Sequence, residues 1–153
     1  MAILIVEDNP VNARLLVLML KAQGYQTVVA RNGKEGLTVL AETPDLQLII
    51  TDYMMPEMDG LEFIVKVRAL PAFRDVPILV ASAHADLETV KRVQAVQCQG
   101  FLVKPIDKQQ LIKRGRALSD RSRSCCAPNL QRWRNWISGW RNITIWSMRL
   151  QPN

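Results

Sequence analysis

Apolar residues fall in short solid runs separated by stretches of helical periodicity through residue 118. Ala2 to Val6 is apolar at every position, the pattern of a strand covered on both faces. Asn9 is placed to cap a helix and Pro10 to occupy its first position. Val11, Leu15, Leu18 and Ala22 then recur at helical spacing, which predicts an inward-facing stripe, and Gly24 is placed to end the helix. Tyr25 to Ala30 reads as a second strand. After an Asn32-Gly33 turn, Lys34 to Glu42 reads as a helix that Pro44 terminates. Leu46 to Thr51, Pro77 to Ala81 and Phe101 to Val103 complete the strands. Leu61 to Ala69, Asp86 to Gln97 and Asp107 to Leu118 complete the helices.

Strand and helix alternating in this way predict βαβ units around a parallel sheet. The expected fold is α/β, a flavodoxin-like (βα)5 open parallel sheet in the order 2-1-3-4-5, with helices on both faces. Such sheets bind ligands outside the carboxyl ends of their strands. The chain's polar exceptions cluster there: Glu7 and Asp8 after the first strand, Asp52 after the third, Ser82 after the fourth and Lys104 after the fifth. An Asp at one strand end is ordinarily a cap or a turn former. Five coincident exceptions point instead to a pocket. Three carboxylates in one pocket repel, so some protonate or a cation binds among them. Hard oxygen ligands with room for water suit Mg²⁺ (or Mn²⁺).

Charge divides the chain near residue 119. The net charge is +6, and after Leu118 six arginines (121, 123, 132, 134, 141, 149) face Asp120 alone. All four tryptophans, at 133, 136, 140 and 146, lie in the same stretch. The expected organisation is therefore a domain over 1–118 and a basic Trp/Arg-rich tail over 119–153. If helical, the tail would set Trp133, Trp136, Ile137, Trp140 and Ile143 against Arg134, Arg141 and Arg149, an interfacial pattern. Arginines interleaved with aromatics also suit a nucleic-acid arm. The abrupt change of composition favours a third reading, a disordered or non-native extension such as a shifted reading frame would produce. No run approaches the roughly 20 apolar residues of a membrane span, and Met1 to Val6 ends in Glu7-Asp8 rather than in a leader's cleavage site. Cys98, Cys125 and Cys126 have no metal-ligand spacing. A cytoplasmic protein is expected.

Four stretches resemble the response-regulator receiver family of two-component systems. They are Ile3-Leu-Ile-Val-Glu-Asp-Asn-Pro10, Pro44-Asp-Leu-Gln-Leu-Ile-Ile-Thr-Asp-Tyr-Met-Met-Pro-Glu-Met-Asp-Gly60, Pro77-Ile-Leu-Val-Ala-Ser-Ala-His84 and Gly100-Phe-Leu-Val-Lys-Pro105. The resemblance implies that Asp52 is the phosphoacceptor and that Glu7, Asp8, Asp52 and the backbone carbonyl of Met54 surround Mg²⁺. It implies that Lys104 and Ser82 contact the phosphoryl oxygens, that Pro105 follows a cis peptide bond, and that Phe101 is an aromatic switch. Phosphorylation would draw Ser82 inward and let Phe101 rotate into the freed space, changing the surface of the fourth helix, fifth strand and fifth helix. The implied partners are a histidine kinase or histidine phosphotransfer protein and a downstream effector on that surface. The implied chemistry is self-phosphorylation and slow self-dephosphorylation, not turnover as an enzyme.

Some positions depart from the family's usual pattern. Ser82 replaces the commoner Thr and keeps the hydroxyl; Glu7 stands where many members have Asp and is expected to reach the metal through water. Gln97 stands where a small residue often ends the fourth helix, which predicts strain of up to about 1 kcal/mol if the turn is left-handed. His84 is read as a rim residue, and the methionines of the Met54 to Met58 loop as packing, since thioethers alone make poor metal sites. Two other functions compete with this one. An aspartate-nucleophile phosphatase usually carries Asp-x-Asp on its first strand, whereas here Asp52-Tyr53-Met54 follows the third. A nucleic-acid-binding or membrane-binding regulator would depend on the tail.

Overall fold

The computed structural model describes residues 2–43, 45–84 and 86–119, so the expectations for Pro44 and for the tail from residue 120 lie outside the described residues. Strand β1 (Ala2–Val6) leads into α1 (Pro10–Lys21), β2 (Gln26–Ala30) into α2 (Gly33–Glu42), and β3 (Leu46–Asp52) into α3 (Gly60–Ala69). Strand β4 (Ile78–Ser82) leads into α4 (Leu87–Ala95), and β5 (Gly100–Val103) into α5 (Lys108–Ser119). A 3-10 turn, Pro71–Phe73, lies between α3 and β4. The strands pair in parallel in the order β2-β1-β3-β4-β5. This is the expected flavodoxin-like sheet.

The helix starts follow from local chemistry. Asn9, Asn32, Asp59 and Asp86 each turn a side-chain oxygen onto an amide of the following first turn, satisfying donors that the helix itself cannot. Asn32 accepts from the Glu35 amide at 2.7 Å while Glu35 accepts from the Arg31 amide at 2.7 Å, a reciprocal cap. Gly24 ends α1 at φ +82, a conformation glycine adopts without a Cβ penalty.

The sheet separates two cores. On one face Leu4, Val6, Ile49, Ile78 and Val80 pack with Leu40 of α2, Phe63, Ile64 and Val67 of α3, and Val93 of α4. On the other, Ile3, Ile5, Ile50, Leu79 and Leu102 pack with Leu16 and Leu20 of α1 and Leu111 of α5. Alternation along strands that are apolar throughout sends successive side chains to opposite cores.

Helix α1 overturns one expectation. The stripe of Val11, Leu15, Leu18 and Ala22 faces outward, with Val11 73%, Leu15 47% and Leu18 59% exposed, while Ala13, Leu16 and Leu20 are buried. Both stripes have helical spacing, because α1 is apolar at most positions, so periodicity alone does not fix the rotation of the helix.

Helix α4 ends at Ala95, two residues before the expected Gln97, which lies in the left-handed region at φ +58. The strained turn is tied down by Arg68. Its Nη2 donates to the Gln97 carbonyl at 3.0 Å and to Gln99 Oε1 at 2.8 Å, and its Nη1 to the Val76 carbonyl at 2.7 Å. Burial lowers the pKa of Arg68, the cost of holding a guanidinium there.

Candidate functional site

Four strands deliver the expected polar residues to one end of the sheet. Asp52 is the last residue of β3 and Ser82 the last of β4; Glu7 and Asp8 follow β1, and Lys104 follows β5. Glu7 is 2% exposed, Asp52 7% and Ser82 1%, whereas Asp8 is exposed. Buried charges demand partners, and the central one is Lys104. Its Nζ lies 2.8 Å from Asp52 Oδ2, 2.9 Å from Glu7 Oε2 and 3.2 Å from Glu7 Oε1. The Lys104–Pro105 peptide is cis, as expected.

The remaining acceptors are partly served by neighbours. Asn12 Nδ2 donates to Glu7 Oε1 at 3.3 Å, and the Met54 amide donates to Asp52 Oδ1 at 3.3 Å. Burial pushes the Glu7 carboxyl above its ordinary value, opposed by the hydrogen bond from Lys104 and reinforced by the charge of Asp52. Burial also works against the Lys104 charge, but its bonds to Asp52 and Glu7 outweigh that and hold its pKa above the usual lysine value. Glu7, Asp52 and Lys104 thus form one hydrogen-bonded cluster with the ammonium between the two carboxylates.

One carboxylate oxygen from each of Glu7, Asp8 and Asp52 lies within 4.8 Å of the others, a donor set of hard oxygens that fits a small divalent cation. Glu7 and Asp8, but not Asp52, also border an open cleft of about 580 Å³ between α1 and β2, walled by Arg14, Val17, Val29 and Arg31.

Ser82 Oγ accepts from the His84 amide at 3.1 Å, and His84 itself is exposed, in keeping with a rim position. Phe101 differs from the starting point of the expected switch. The residue is 2% exposed and belongs to the core that residues of α3 and α4 complete. The carbonyl of Phe101 accepts from Arg114 Nη1 of α5, which joins that helix to β5.

Two residues that shape the site were not singled out from the sequence. Asn12 lies in the first turn of α1, five residues beyond Glu7, and its amide has no local signal that sets it apart from a surface residue of that helix. Gly60 opens α3 with its Cα against the acceptor: an added Cβ would lie 2.2 Å from the Asp52 carbonyl oxygen. The Asp59-Gly60 dipeptide signals a cap and a turn but not this close approach.

These features define a doubly wound α/β domain with an acidic, lysine-bridged crevice at the carboxyl ends of its strands. The chain belongs to the response regulator receiver domain family, whose profile matches residues 3–116. It is 39% identical over 114 residues to an uncharacterized 14.6 kDa protein from the sodA1 3' region of Leptolyngbya boryana, covering 74% of this chain and 86% of that one. It is 31% identical over 135 residues to the transcriptional regulatory protein GlrR of Escherichia coli, covering 88% of this chain but only 29% of GlrR. The solved structure of the chemotaxis protein CheY4 of Vibrio cholerae superposes with a TM-score of 0.73 at 29% identity, covering 76% of this chain and 97% of that one. The protein is a receiver domain of two-component signalling.

Proposed function

We propose that this receiver accepts a phosphoryl group from a histidine kinase or a histidine phosphotransfer protein onto Asp52, with Mg²⁺ (or Mn²⁺) bound beside it. The observation that carries the reading is the convergence of Lys104 on Asp52 at 2.8 Å in a crevice that also holds Glu7 and Asp8. A carboxylate oxygen of Asp52 attacks phosphorus, and the bond to the donor's nitrogen or oxygen breaks with its electron pair leaving on the donor. Asp8, Asp52 and the Met54 carbonyl would hold the cation, and Glu7 would contribute to it through water. The cation, when bound, neutralises charge on the transferring group. Lys104 leaves Asp52 for a phosphoryl oxygen, and Ser82 turns its hydroxyl from the His84 amide to another. Hydrolysis of the acyl phosphate resets the domain slowly, so it acts as a switch and not as a turnover enzyme.

A donor protein finds a suitable landing surface next to the crevice. The exposed stripe of Val11, Leu15 and Leu18 continues from Asp8 along α1. Output belongs to α4, β5 and α5. Because Phe101 is already inside, the signal follows from movement of Ser82 and repacking of β5 against α4, not from a ring entering the core. Residues 119–153 are an appendage to the domain, with nucleic-acid or membrane contact subordinate to phosphoryl signalling, and the protein works in the cytoplasm. Among the described residues no helix is long and apolar enough to cross a membrane.

The test is intact-mass spectrometry after incubation with acetyl phosphate and Mg²⁺. The wild type is expected to gain one phosphoryl group and Asp52→Asn none, since the amide keeps the shape but is not a nucleophile. Equal incorporation in both would place the acceptor elsewhere.

A further inference from the structure

Glu7 and Asp8 are adjacent acids with opposite circumstances. Asp8 is exposed and carries no hydrogen bond from a described side chain, so its oxygens are free for a cation. Glu7 is buried, and both of its oxygens are engaged, Oε2 by Lys104 at 2.9 Å and Oε1 by Lys104 at 3.2 Å and Asn12 at 3.3 Å.

We propose that Glu7 is a positioning residue for Lys104, holding the ammonium in the crevice while Asp52 gives its oxygens to the cation and the phosphoryl group. Lys104 has two anchors in the structure, and phosphorylation requires it to release only one. A lysine is a point charge on a four-carbon stem whose freedom is costly to remove repeatedly. A second, buried carboxylate outside the reacting centre keeps the stem ordered at the step where Asp52 lets go. Glu7 then governs how readily Lys104 reaches the phosphoryl oxygen, and Asp8 and Asp52 remain the direct carboxylates of the cation. The consequence for the reaction rests on the phosphoacceptor reading, but the contact can be tested without it.

Side-chain ammonium signals of ¹⁵N-lysine-labelled protein read the contact directly, with the Lys104 signal assigned by its loss in Lys104→Arg. Without metal, the proposal expects a slowly exchanging Lys104 signal in the wild type and in Asp52→Asn, and its loss in the Glu7→Gln, Asp52→Asn double variant. At saturating Mg²⁺, followed by the amide shifts of Asp8 and Met54, the signal should persist in the wild type and vanish in Glu7→Gln. Phosphorylation of Glu7→Gln by acetyl phosphate at saturating Mg²⁺ should be about tenfold slower, the effect of one charge-assisted hydrogen bond, with no further loss in a Lys104→Met background. Disappearance of the wild-type signal on adding Mg²⁺ would show Glu7 recruited by the metal and overturn the proposal. So would a signal that survives in the metal-free double variant. Absence of Mg²⁺-dependent amide shifts would count against the metal-dependent phosphoacceptor reading alone, and the metal-free variants would still decide the role of Glu7.

Discussion

The middle of the sheet and its carboxyl-terminal end meet burial in different ways. Leu4, Ile5, Ile49, Ile50, Leu79 and Leu102 disappear between two helical layers, and packing is all they require. A few residues further along the same strands, Glu7, Asp52 and Ser82 are almost as hidden, but each needs a named partner: Lys104 for the two acids and the His84 amide for the hydroxyl. The first region tolerates any apolar side chain of the right volume. The second tolerates few changes without losing its chemistry, because each buried polar group depends on a particular neighbour. Stability and activity should therefore separate along the length of a single strand.

Leu4→Ala offers the largest expected effect on stability. Removing a fully buried leucine from β1 should cost about 3 kcal/mol in urea unfolding, while the folded fraction still takes up phosphate on Asp52. Loss of phosphate uptake in protein that remains folded would show that the two regions are not separable. Gly60→Ala probes the boundary between them. The new Cβ meets the Asp52 carbonyl oxygen, so either α3 or the acceptor strand must shift. We expect a cost of about 2 kcal/mol together with phosphorylation slowed about tenfold, since a misplaced nucleophile loses reactivity steeply. Asp8→Ala should have the smallest and opposite effect on folding. Removing one of three clustered acids should raise metal-free stability by about 0.5 kcal/mol and weaken Mg²⁺ binding about tenfold, measured by calorimetric titration. Unchanged Mg²⁺ affinity would count against the cation pocket described above.

The same contrast explains what could be read from the sequence. Runs such as Ala2 to Val6 and Leu46 to Thr51 announce strands covered on both faces, and the polar residues that interrupt them announce the crevice; the strand order and the meeting of Glu7, Asp52 and Lys104 follow. The rotation of α1 did not follow. Val11, Leu15 and Leu18 match helical spacing as well as Ala13, Leu16 and Leu20 do, and the choice between them is made by the path of the chain from β1. Gly60 and Asn12 escaped for a related reason. Their roles lie in contacts with Asp52 and Glu7, which exist only once the loop after β3 and the first turns of α1 are in place. The sequence pattern carries α4 to Gln97, two residues past its end, and the turn at Gln97 is left-handed, but its anchoring by Arg68, 29 residues earlier, is a tertiary contact that local pattern does not carry.

The central claim is that the buried carboxylate of Asp52, bridged by Lys104, is the group that receives the phosphoryl. Borohydride reduction of the phosphorylated protein tests it most directly, because it converts an aspartyl phosphate to homoserine, which tandem mass spectrometry locates in the sequence. After acetyl phosphate and Mg²⁺, homoserine is expected at position 52 and at no other acidic residue. Homoserine at Asp8, or phosphate recovered on His84 or a serine with Asp52 unmodified, would contradict the account.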